Sequence, residues 1–148
     1  MTNLANRTAL VFGAGSVGPG WGNGKASAVS YARKGARVVC VDVQKAAADE
    51  TVALIRQEGG EALALTCDVT QIEAVEACVA ESLKAFGQID ILHNNVGHAK
   101  MGGPPDLSAE EWQREMDLNV SGMFYACKFV IPHMVQRGKG VITNISSV

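Results

Sequence analysis

Aromatic residues make up only 5% of the 148-residue sequence and charged residues 19%, with a formal net charge of −2. Charge this sparse and balanced leaves no basic stripe for nucleic acid and no cationic face for a membrane. The 47% hydrophobic content argues against disorder. No apolar run approaches the roughly 18 residues of a spanning helix, and the segment from Met1 to Arg7 lacks the hydrophobic core of a secretion signal. The cytoplasm is the expected compartment. Cysteine is scattered: Cys40, Cys67, Cys78 and Cys127 form no CxxC pair and read as reduced packing residues. His93 and His98 do not match a regular ligand spacing, so no metal is expected, and His133 reads as a surface residue. Without repeats, low-complexity tracts or a linker, residues 1–148 read as one domain.

Two hydrophobic periods alternate along the chain. Short β-branched runs predict strands at Thr8 to Phe12, Val38 to Asp42, Ala62 to Thr66, Ile89 to Asn94 and Val141 to Ile145. Helical spacing occupies Asn23 to Lys34, Gln44 to Glu58, Gln71 to Phe86 and Ser108 to about Arg137. Two of these helices open on capping boxes, Thr70-Gln71-Ile72-Glu73 and Ser108-Ala109-Glu110-Glu111, whose side chains satisfy orphan amides. Strand and helix alternate four times and end on a fifth strand. That order predicts an α/β fold, a doubly wound parallel sheet of five strands with helices on both faces.

Ligands of such sheets bind beyond the carboxyl ends of the strands. There the sequence places six glycines between Gly13 and Gly24. Gly13-Ala14-Gly15-Ser16-Val17-Gly18 matches GxGxxG, but a helix starting after Gly18 would carry Pro19, Gly20, Gly22 and Gly24 in its first turns, at about 1 kcal/mol per interior glycine. A helix starting near Asn23 or Gly24 avoids that cost. Gly13 then makes the tight exit from the strand, while Gly22 and Gly24 bring the helix N-terminus, with its unpaired amides and positive dipole end, against a phosphate-bearing ligand. A nucleotide triphosphatase loop is excluded, because Pro19 and Ala26 stand where its glycine and its Ser or Thr belong. Asp42 ends the second strand 18 residues after Gly24, near the spacing at which a carboxylate accepts hydrogen bonds from an adenosine ribose. It would repel a 2′-phosphate, so NAD is expected over NADP.

With the glycine loop and Asp42, four further motifs stand in order: Cys67-Asp68-Val69, Asn94-Asn95-Val96-Gly97, Asn119, and Ile145-Ser146-Ser147-Val148. Together they resemble the short-chain dehydrogenase/reductase family, over the whole chain. The resemblance implies a Rossmann-like fold and hydride transfer between NAD and a small-molecule alcohol or ketone. It implies that Asp68 and Val69 contact the adenine, that Asn95 and Gly97 contact the ribose on the nicotinamide side, that Asn119 holds a water in a proton relay, and that Ser147 hydrogen-bonds the substrate oxygen.

The sequence departs from the family pattern at two important places. Eight residues, Ala14 to Trp21, separate Gly13 from Gly22 where the family usually has three, so the phosphate loop is enlarged. The family's Tyr-x-x-x-Lys pair is absent: the two tyrosines are Tyr31 and Tyr125, and the nearest lysine to Tyr125 is Lys128, three residues on. Hydride transfer needs a group that takes up or releases the hydroxyl proton. The chain is therefore expected to be the cofactor-binding N-terminal part of a longer, homo-oligomeric enzyme, inactive alone. Two other classes stay open, a non-catalytic nucleotide-binding or regulatory module and a transferase using S-adenosylmethionine.

Overall fold

Every residue of the first strand, β1 (Thr8–Phe12), is buried, as a strand covered on both faces requires. Its neighbours on the two sides are β2 (Arg37–Asp42) and β4 (Ile91–Asn94), and the sheet is completed by β3 (Ala62–Thr66) and β5 (Val141–Asn144). All pairings are parallel, in the order β3-β2-β1-β4-β5. This computed structural model describes residues 3–146. The doubly wound α/β sheet is the predicted one.

Successive side chains on a strand point to opposite faces, and this alternation assigns the helices to layers. Ala9, Val11, Val38, Cys40 and Ile91 pack against α1 (Asn23–Arg33) and α2 (Lys45–Gln57), through Ala28, Val29, Val52 and Ile55. Leu10, Phe12, Val39, Val41 and Leu92 face the other way. They meet Val75 and Val79 of α3 (Ile72–Phe86) and Ala126, Val130 and Met134 of α5 (Gly122–Arg137). The sheet thus divides one apolar core into two layers. Among the described residues, no helix is long and apolar enough to cross a membrane.

The structure departs from the sequence expectations in four local features. The helix predicted from Ser108 to Arg137 consists of α4 (Ala109–Met116), a π-helical turn at Asp117–Ser121, and α5. Its capping box forms: the Glu111 amide donates to Ser108 Oγ and the Ser108 amide donates to Glu111 Oε2. The box predicted at Thr70 does not. Asp68 Oδ1 accepts from both the Thr70 amide and the Thr70 hydroxyl, so the nearby carboxylate takes the group that would have capped, and α3 starts after an uncapped Gln71. His133, expected at the surface, is half-buried with Nε2 accepting from the Ile89 amide at 3.4 Å. The four cysteines are free, and burial pushes the Cys40 thiol up to about 12.

β4 also begins two residues later than predicted, because Gln88 to Asp90 are engaged by a charged cluster at the amino edge of the sheet. Asp90 is 5% exposed; its Oδ1 accepts from Arg7 and Arg137, and its Oδ2 from the Thr8 amide and Gln88. Burial favours the neutral acid, but the Thr8 amide and the guanidiniums of Arg137 and Arg7 outweigh it and hold the carboxyl below the usual range. A carboxylate depressed on folding stabilises the protein above its unfolded pKa of about 3.9, and the benefit is lost as pH falls through the folded value. Asp90→Asn is expected to cost about 2 kcal/mol at pH 7 by urea unfolding, with the gap from the parent protein closing below pH 4. A gap that persists in acid would show that the Asp90 charge is not its source.

Candidate functional site

The carboxyl ends of the strands open into a cleft of about 1010 Å³, at the upper end of the 300–1,000 Å³ usual for ligand pockets. It lies where the chain, having stepped outward from β1 to β2 and β3, crosses back to place β4 beside β1. This switch in strand order leaves a crevice between diverging connections.

The β1–α1 connection forms the floor of the cleft. The Gly13 and Ala14 amides both donate to the Val41 carbonyl, at 2.8 and 2.9 Å, turning the chain sharply as it leaves β1. Gly13 has φ +73°, and a Cβ there would stand 3.1 Å from the Val96 amide nitrogen. Helix α1 starts at Asn23, with Gly22 at its N-cap position. Gly22 and Asn23 line the cleft, and the helix has neither a side-chain cap nor an acidic residue in its first turn. Its positive end therefore faces the cleft without a protein anion to neutralise it. Gly24 faces the protein instead. A Cβ on it would stand 1.7 Å from the Gly13 carbonyl oxygen and 2.7 Å from Asn95 Nδ2, so its bare backbone serves the packing of helix on strand turn.

Asp42 lines the cleft at the end of β2. Its Oδ2 accepts from the Gly15 amide and its Oδ1 from the Gln44 amide, each at 3.0 Å, which leaves two of its four acceptor positions open. Asp68 and Val69 form the neighbouring wall, and Asn95 and Gly97 the wall beyond β4. Asn95 Nδ2 donates to the Gly13 carbonyl at 3.2 Å, tying that wall to the floor. Asn94 is buried and donates to Asn144 Oδ1 at 2.8 Å, joining β4 to β5.

Asn119 sits in the π-helical turn, a helix irregularity that recurs at functional sites. Its Oδ1 accepts from the His98 amide, and its Nδ2 donates to the carbonyls of His98 and Glu115. Both donors are used and one Oδ1 lone pair remains. Gly97 is the residue beside it, since a Cβ there would stand 3.2 Å from Asn119 Oδ1. A two-part clasp secures the same loop: a hydrogen bond between His98 Nδ1 and Glu115 Oε1 at 2.6 Å, and an ion pair of Lys100 Nζ with Glu111. The His98 hydrogen bond holds the Glu115 carboxyl below the usual carboxylate range. Ser147 lies outside the described residues.

The sequence reading missed two parts of this site. Gly15 lines the cleft and gives its amide to Asp42; a Cβ on it would meet Ala47 Cβ at 2.5 Å. Its place in the GxG match was the available signal. The helix α4, with the first residue of the π-helical turn, supplies a polar wall of Glu110, Gln113, Arg114 and Asp117, whose spacing at three and four residues puts them on one helix face. That spacing was legible, but nothing in it distinguished a cleft wall from an ordinary solvated face.

A family model described as short chain dehydrogenase matches residues 7–148. The chain belongs to that family. It is 37% identical over 145 residues to an uncharacterized oxidoreductase of Thermotoga maritima, covering 98% of this chain and 55% of that one. It is 36% identical to glucose 1-dehydrogenase 2 of Bacillus subtilis, covering 99% and 56%. A crystal structure of a short-chain dehydrogenase/reductase from Burkholderia xenovorans superposes with a TM-score of 0.94 at 46% identity, over 97% of this chain and 57% of that one. A 7α-hydroxysteroid dehydrogenase, in complex with NADH and 7-oxo glycochenodeoxycholic acid, superposes with a TM-score of 0.91 at 35% identity, over 98% and 55%. The chain spans about half the length of these relatives. Against the family pattern, the enlarged glycine loop of this short-chain dehydrogenase chain leaves and returns at one point, because a Cβ on Gly22 would stand 3.0 Å from Ser16 Oγ and 3.2 Å from the Gly15 carbonyl oxygen.

Asn119→Ala removes the two side-chain hydrogen bonds that hold the His98 segment to the π-helical turn, and with them the bond to the Glu115 carbonyl. Amide exchange at His98 is expected to accelerate tenfold or more, with global stability falling by about 1–3 kcal/mol in urea. Unchanged exchange at His98 would show that the segment is held by the Glu111 and Glu115 clasp alone.

Proposed function

We propose that the cleft binds a nicotinamide dinucleotide, NAD in preference to NADP, and that the chain is the cofactor-binding part, spanning residues 1–148, of an oxidoreductase that moves hydride between that cofactor and a small-molecule alcohol or ketone. One observation carries the reading: Asp42, with open acceptor positions, lines the same cleft as the uncapped start of α1. A dinucleotide presents a ribose diol to the first and a pyrophosphate to the second. Apolar side chains of the same cleft, Val41, Val69, Val96 and Leu118, fit flat heterocycles. When bound, the cofactor supplies the hydride chemistry. The chain's own residues then have separate tasks. Gly22 and Asn23 present α1 to the pyrophosphate, Asp42 accepts from the adenosine ribose, Asp68 and Val69 border the adenine, and Asn95 and Gly97 border the second ribose. Asn119, beside Gly97, keeps one Oδ1 lone pair to which a relay water would donate. Ser147 would hydrogen-bond the substrate oxygen.

In its whole form the protein is expected to pair with copies of itself. Phe124, Ile131 and Val135 leave an exposed apolar row along α5, a feature that favours pairing.

Fluorescence titration of the purified, folded chain with NADH and NADPH tests the reading. Saturable NADH binding is expected, with NADPH at least tenfold weaker. Asp42→Ala is expected to raise the NADH Kd by tenfold or more, the equivalent of at least about 1.4 kcal/mol, and to narrow the preference. A folded chain that binds neither cofactor overturns the proposal, and binding of S-adenosylmethionine in their place would assign the site to a transferase.

A further inference from the structure

The six residues Ser16 to Trp21 make the glycine loop long, and Pro19, the one residue among them whose ring fixes φ, stands between two freely rotating glycines. No atom lies within 4 Å of a Cβ built on Gly18 or Gly20, and the Val17 side chain is fully exposed. A glycine-rich excursion of this kind stays ordered only if contacts offset its lost chain entropy. Those contacts converge on its far end, where the Gly20 carbonyl accepts from Ser16 Oγ at 3.1 Å and from Lys25 Nζ at 3.3 Å.

Lys25 is unusual in two independent ways. It lies in the first turn of α1, where a cation opposes the helix dipole. It is also 6% exposed, and a buried ammonium is costly unless it is paired. The pairing is complete: Nζ reaches Glu50 Oε1 of α2 at 2.5 Å, donates to Gly20, and stands 5.7 Å from the centre of the Trp21 ring. The Lys25 ammonium is thus directed to Glu50 and the Gly20 carbonyl, and Lys25 is not among the residues that line the cleft. A residue that violates a local preference and is so fully compensated marks a functional constraint.

We propose that Lys25 is a positioning residue, its ammonium bridging Glu50 of α2 to the Gly20 carbonyl and so latching the excursion with Ser16 and Val17 against the phosphate end of the cleft. Both residues line that cleft. The inference rests on reading the cleft as a dinucleotide site. Its consequence is selective: ligands that carry a pyrophosphate depend on the latch, and adenosine alone does not.

Two substitutions separate this role from a direct attraction of the Lys25 charge for phosphate. A latch is broken by removing either partner, so Lys25→Met and Glu50→Ala should each weaken NADH binding about tenfold, leave adenosine affinity within twofold in ligand-observed NMR, and accelerate amide exchange from Val17 to Trp21. Lys25→Arg should restore NADH binding to within threefold. A direct charge effect predicts the opposite for Glu50→Ala, which would free the ammonium and tighten NADH binding. That tightening, or unchanged NADH affinity in Lys25→Met, overturns the latch. Unchanged exchange across the excursion in both variants overturns it without any cofactor. Absence of NADH binding in the parent chain would instead overturn the reading of the cleft, leaving the exchange measurement to decide the latch.

Discussion

The first turn of α1 lies so close to the turn leaving β1 that no side chain fits between them; a Cβ on Gly24 would stand 1.7 Å from the Gly13 carbonyl oxygen. The rest of the site depends on that approach. It brings the start of the helix to the carboxyl edge of the sheet, where Gly22 and Asn23 reach the cleft. It also leaves the Gly13 carbonyl placed to accept from Asn95, which fastens the β4 wall to the floor. Gly13 itself turns at positive φ, with its amide and that of Ala14 on the Val41 carbonyl, so β1, β2, β4 and α1 are all referenced to one short stretch of bare backbone.

Strands and helices were legible in the sequence because both are written in hydrophobic period. The alternation of Ala9 and Val11 with Leu10 and Phe12 separates two layers of core, and the start of α1 followed from the glycine cost of any earlier start. That the sheet is parallel with helices on both faces followed from the alternation of strands with helices, whereas the order β3-β2-β1-β4-β5 came only with the structure. What period does not encode is competition between nearby polar groups. Thr70 had the spacing of a capping residue, but Asp68 two residues earlier accepts from the Thr70 amide that Glu73 would have taken and holds the side chain by its hydroxyl. The role of Gly24 was illegible for a related reason. A glycine that admits a ligand and one that admits another part of the chain look the same until the neighbouring turn is in place.

Asn119 shows how local irregularity and site geometry arise together. Asparagine is a poor former of helix interiors because its amide competes for backbone groups. Here the competition is realised: the side chain bonds the Glu115 carbonyl of its own helix and both backbone groups of His98. The helix accommodates it by widening to a π-helical turn at Asp117–Ser121. A residue unsuited to the helix thereby becomes the tie between that helix and the loop beyond β4. The sequence pointed to an inward polar role for Asn119, but the widened turn and the two-bond pairing with His98 needed the loop in place.

Two carboxylates at opposite edges of the sheet, Asp42 and Asp90, show how counting hydrogen bonds separates support from function. A carboxylate has about four acceptor positions. Asp90 fills all four, with Arg7, Arg137, Gln88 and the Thr8 amide, and lies buried at the amino edge. It has nothing left to offer a ligand, and its charge is spent on holding β1, β4 and α5 together. Asp42 fills two, both with backbone amides that fix the glycine loop and the approach to α2, and faces the cleft at the carboxyl edge. Its remaining capacity can be satisfied by solvent or by a ligand carrying hydrogen-bond donors, such as a ribose diol. The same residue type at a strand end therefore carries different consequences, and the difference lies in partners that become neighbours only when the sheet assembles.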